Sequence, residues 1–163
     1  MAGVVAAGAA WLSWLPGPHH ADTRAIGWTS LSEARLALVE DPADRGPALE
    51  AAAADVERAL AASPTLLRAQ LQQVRVSLSR DRFETCARAL EAAEAQIPGH
   101  PQVLMNRAWL HARPHPNNRH FDPAAARALV EQLAFEAAAD PELAPHVAAL
   151  RRHLDGLEAR GDG

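Results

Sequence analysis

The residues most able to do chemistry are the histidines His19, His20, His100, His111, His115, His120, His146 and His153. Three of them, His111, His115 and His120, fall in one short stretch, with His100 nearby and Asp122 the adjacent carboxylate. Imidazoles clustered in this way are the pattern of a zinc or copper site. The i, i+4 spacing of His111 and His115 would align them on a helix, but Pro114 and Pro116 oppose a helix through that stretch. No HExxH pattern is present, and a solvated loop is the simpler reading; no metal or cofactor is assigned. The other chemistry is thinner. Cys86 is the sole cysteine, which rules out a disulfide framework and a cysteine-built zinc site. There is no glycine-rich phosphate loop and no GxSxG elbow, and the carboxylates sit at helix starts and on polar faces. Nothing supports catalysis, so the expectation is a protein that is not an enzyme.

The elements that carry these residues are helices. Alanine makes up about a quarter of the 163 residues, and Val, Ile, Phe and Thr are too sparse for a sheet. With 48% hydrophobic and 22% charged residues, the chain is suited to one folded domain with a short appendage. Sixteen basic against twenty acidic residues leave a net charge of −4, which speaks against nucleic acid as a partner. All the basic residues are Arg, a bias that a GC-rich genome imposes.

Residues 2–15 form an uncharged, mostly apolar run that Pro16, Gly17 and Pro18 end. The run is shorter than the roughly 20 residues of a bilayer span and has no basic region before it. Three readings stay open. It is the remnant of an export signal or anchor, an interfacial or partner-buried helix, or an apolar end packed on the domain. Trp11 and Trp14 suit the membrane readings. Residues 19–26 read as a polar linker.

Two later segments align without gaps at a separation of 34 residues: Leu49, Ala52, Val56, Ala59 and Pro64 against Phe83, Cys86, Leu90, Ala93 and Pro98. The first four of each share one helical face, and the proline stands where the helix must stop. Helices are expected near 30–40, 47–62, 65–80, 82–97, 101–112, 123–139 and 141–159. Ser30 with Glu33 and Asp81 with Glu84 read as capping boxes, and Asp122-Pro123 and Asp140-Pro141 as N-cap followed by Pro at the first helical position. The last helix carries Leu143, Val147, Leu150, Leu154 and Leu157 in one stripe, backed by Arg151, Arg152, Asp155 and Glu158.

The pattern of bulky opener, small residue, large residue, small residue and proline resembles the second helix of a tetratricopeptide repeat, whose period is about 34 residues. The first helices of the units match less well. The stretch from Asn106 to Leu129 looks like a variant in some bacterial repeat proteins, where an Ala-Trp pair (here Ala108 and Trp109) ends a helix before a Pro/Arg/Asp-rich loop. The resemblance implies an all-α, TPR-like array of about three helical hairpins over residues 21–140, with an apolar segment at 1–20 and a capping helix at 141–160. Cys86 is then a small hydrophobe in a tight helix contact.

The resemblance also implies a scaffold or adaptor that binds another protein or peptide segment on a concave face. Carried over, that face holds Arg68, Leu71, Arg75, Met105 and Trp109; Met105 and Trp109 suit the inter-helix core equally well. The subtype that clamps a terminal carboxylate with Lys and Asn is excluded, because the chain has no Lys. Two alternatives stay open: a structural accessory subunit of a larger bacterial membrane complex, and a small metal-handling protein using His111, His115 and His120. The expected location is bacterial and membrane-anchored or periplasmic, with membrane contact through residues 2–15.

Overall fold

The computed structural model describes residues 20–39 and 44–161. The apolar run at 2–15 lies outside the described residues. Among the described residues there are seven α-helices and no strand: α1 (Ala21–Ala37), α2 (Arg45–Ala62), α3 (Leu67–Ser79), α4 (Phe83–Gln96), α5 (Pro101–Ala112), α6 (Pro123–Ala137) and α7 (Ala144–Ala159). The described residues are all-α. The chain divides into two compact units between Arg80 and Asp81, inside the region expected as one repeat array.

In the first unit, α1 packs against both α2 and α3, and α2 against α3. Ala25, Trp28 and Leu31 of α1 meet Ala59 and Ala69, while Ala52, Ala53 and Val56 of α2 meet Val76. Small residues at these crossings let the helix backbones approach. Of the stripe read from the sequence, Ala52, Val56 and Ala59 are on the buried face of α2, while Leu49 is partly exposed. The start of α1 differs from expectation. The helix begins at Ala21, not near residue 30, so Ser30 is mid-helix and caps nothing. The cause is tertiary: Ala25 and Trp28 are buried against the rest of the unit, which extends the helix through a stretch with few large apolar residues. Asp22 stands in the first turn, where an acid suits the helix dipole, and accepts a hydrogen bond from Ser63 Oγ at 2.7 Å.

In the second unit, α5 packs against α4, α6 and α7, and α6 against α7. Leu104, Met105 and Ala108 of α5, Ala126, Val130 and Leu133 of α6, and Val147, Leu150, Leu154 and Leu157 of α7 form one core. The last helix therefore buries its whole leucine stripe. Asp122 caps α6 as expected, accepting from Ala125 N at 2.9 Å. Asp140 accepts from Glu142 N at 2.8 Å and Leu143 N at 3.2 Å, but in a turn that precedes α7. The capping box expected at Asp81 and Glu84 is absent. Asp81 has a positive φ of 55°, Arg82 is the N-cap without a side-chain bond, and the Asp81 carboxylate meets Arg113 Nη2 at 2.8 Å instead.

The 34-residue spacing recurs in backbone hydrogen bonding. Ser63 N donates to Ala59 O at 2.9 Å, and Ile97 N to Ala93 O at 3.1 Å. Leu66 N donates to Ser63 O at 3.2 Å, and His100 N to Ile97 O at 3.3 Å. The next helix then opens alike, with Ala69 N to Leu66 O and Val103 N to His100 O both at 2.9 Å. Proline follows the C-cap in both turns, at Pro64 and Pro98. The interiors differ: Gly99 takes φ 74°, as the third residue of a type II turn does, whereas Thr65 keeps a negative φ.

Candidate functional site

In α3 the buried positions are Ala69, Gln70, Gln72, Val74, Val76 and Ser77. That leaves Arg68, Leu71 and Arg75 on the outward side. Arg68 and Arg75 are exposed and Leu71 is half-buried between them. Their spacing of three and four residues puts them on one face. Arg68 is already engaged by the first unit. Its guanidinium makes a two-pronged ion pair with Glu33 of α1, with Nε 3.2 Å from Oε1 and Nη2 on Oε2. Hydrogen bonding to Glu33 holds the Arg68 pKa above its ordinary value, against a smaller effect of burial. Arg75 makes no hydrogen bond or ion pair among the described residues. It is an available cation beside an aliphatic side chain.

The other two residues expected on the binding face belong to the second unit. Met105 is 7% exposed and sits in the core cluster, so within its unit it is a packing residue. Trp109 is half-buried against the same core, its ring 5.4 Å from that of His153 on α7. His153 Nε2 in turn lies 3.1 Å from Ala112 O, which ties α7 to the end of α5.

The histidine loop is irregular, as its prolines require, but it is folded rather than merely solvated. Asn118 is 7% exposed and is the loop's core. Its Nδ2 donates to Leu110 O at 2.8 Å and Arg113 O at 2.9 Å, and its Oδ1 accepts from His120 N at 3.0 Å. The three imidazoles are engaged separately. His111 Nδ1 lies 2.6 Å from His120 O, the His115 ring lies 5.2 Å from Phe83, and His120 Nε2 is 3.7 Å from Glu84 Oε2. Among the described residues no group of three or more His, Cys, Asp or Glu side chains is placed to hold a metal.

Cys86 is buried, and burial pushes its thiol up to about 12. A thiol so far above neutrality is a poor nucleophile.

Three features escape the sequence reading. Asp55 is a buried carboxylate bound by Arg35 and Arg58, and the Arg58 guanidinium stands 4.9 Å from the Trp28 ring centroid. Gln72 is buried and donates to Ser32 Oγ at 3.1 Å. Phe135 of α6 is 88% exposed. Two signals stood in the pattern: Phe135 lies off the stripe of Ala126, Val130 and Leu133, and Asp55 and Arg58 have the i, i+3 spacing of a helical ion pair.

No helix among the described residues is long and apolar enough to cross a membrane. No family model, curated protein or solved structure matches the chain.

Proposed function

We propose that this chain is a non-catalytic protein-binding module of tetratricopeptide-like helical hairpins, and that the outward face of α3 docks a partner segment with acidic and apolar side chains. The observation that carries the reading is the pairing of Arg75, exposed and unengaged, with half-buried Leu71 on a helix whose opposite side is largely buried. A cation beside an aliphatic strip is complementary to an amphipathic acidic segment. The hairpin reading draws support from the 34-residue recurrence of the turn hydrogen bonds at Ser63 and Ile97. It also draws on the packing of alternate helices, α1 on α3 and α5 on α7, within each unit. Arg68 serves less as a free anchor than as the edge of the face, since Glu33 already neutralises it.

The test is a displayed library of peptides carrying acidic and leucine side chains, panned against the full chain. Selected peptides should lose binding to Arg75→Glu by tenfold or more, while circular dichroism and melting stay unchanged. A variant that is equally stable and binds equally well removes α3 as the site.

A further inference from the structure

Phe135 is the most exposed large apolar side chain among the described residues. The core side of α6 is the stripe Ala126, Val130 and Leu133. At 3.6 residues per turn, Phe135 projects roughly 140–200° away from the last two of these. Around it most of the exposed helix surface is small or uncharged. Ala128 and Gln132 are exposed on the same side, and the one exposed acid there, Glu131, is met by Arg151 of α7 at 3.3 Å. An aromatic ring held in water on such a surface is the usual anchor of a protein contact.

We propose that α6 is the seam of a homodimer, two copies packing antiparallel with Phe135 of each seated over Ala128 of the other. A second copy fits because the face is complementary to itself. Pairing centred between Glu131 and Gln132 sets Phe135 against the second copy's Ala128, because both stand the same distance from that centre. It sets Glu131 against the second copy's Gln132, an acceptor opposite an amide donor. A bulky residue over a small one is the packing that lets two helices close. The ends match in charge as well. Arg119 precedes α6 and Glu142 follows it, both are exposed, and neither makes an ion pair among the described residues. The antiparallel arrangement brings the Arg119 end of each copy to the Glu142 end of the other, and it opposes the two helix dipoles. Such a contact is isologous and closed, and both aromatic rings leave water together.

The test uses the full chain in sedimentation equilibrium across the micromolar range, with circular dichroism as the check on folding. The native chain should dimerise and Phe135→Ala should be monomeric with the same helical content. The register is read by thiol cross-linking with a short bis-maleimide in a Cys86→Ala background. Ala124→Cys mixed with Ala139→Cys should link. Either alone should not, since antiparallel packing puts like positions about 22 Å apart. A native chain that stays monomeric, a dimer that survives Phe135→Ala, or efficient linking of Ala124→Cys to itself would each overturn the proposal.

Discussion

Arg35 reaches from α1 to α2 and places Nε 2.5 Å from Oδ2 of Asp55, a carboxylate with no exposed surface. The second oxygen, Oδ1, takes Arg58 Nη1 from its own helix at 2.8 Å. The two cations differ in access to water: the Arg58 side chain is more than half exposed, that of Arg35 about a quarter. This asymmetry sets the order of mutational effects. Arg35→Ala leaves a buried carboxylate with one partner and should destabilise the protein by about 3 kcal/mol. Asp55→Ala releases two arginines that can turn toward water and should cost about 1–2 kcal/mol. Urea unfolding of the two variants checks the ranking; equal losses would mean that Asp55, not its pairing with Arg35, carries the stability.

Cys86 ties packing to pH. Its thiol ionises near 9.0 when unfolded and is pushed up to about 12 by burial in the fold. The native state therefore holds its proton where the unfolded chain releases it. The stabilisation is complete below pH 9.0 and is lost as pH rises toward about 12. Cys86→Ala should make the alkaline fall of stability shallower while costing about 1 kcal/mol at neutral pH. Cys86→Leu should cost roughly 1–3 kcal/mol by overpacking. Rapid thiol labelling of the native protein would show that the packing at this position is open.

Asp81 is the one non-glycine residue with a positive φ among the described residues. Its carboxylate holds Arg113, so two effects compete on substitution. Asp81→Gly relieves the backbone and loses a surface ion pair, which leaves stability within about 1 kcal/mol. Asp81→Ala keeps the unfavourable φ and loses the same pair, so it should be about 1 kcal/mol less stable than Asp81→Gly. Thermal melts of the two proteins read the difference directly.

Asn118, rather than the histidines, should hold the loop. Asn118→Ala strands the carbonyls of Leu110 and Arg113 and should cost about 1–3 kcal/mol. Replacing His115 with Asn, which removes a partly exposed ring beside Phe83 and an exposed hydrogen bond from Asn117 N to Nδ1, should stay within about 1 kcal/mol. Chemical denaturation distinguishes them, and a larger loss at His115 would reverse the assignment.

The parts of this structure legible in the sequence are those that depend on neighbours three to five residues away. The buried stripe from Ala52 to Ala59 and its counterpart from Phe83 to Ala93, the prolines that follow both helices, the Asp122 cap and the leucine face of α7 all follow from helical periodicity and turn chemistry. Local stereochemistry is enough to specify them. The tertiary structure decided the fate of side chains whose partners lie far along the chain. Residues 21–29 became helix because Ala25 and Trp28 found cover on Ala59 and Ala69. Asp55 could be buried only because Arg35 stands twenty residues away in sequence but beside it in space. Met105 and Phe135, both apolar residues on helices, were sorted to inside and outside by which neighbouring helix reached them. Periodicity assigns a residue to a face of its own helix; only the packing of helices determines whether another helix covers that face.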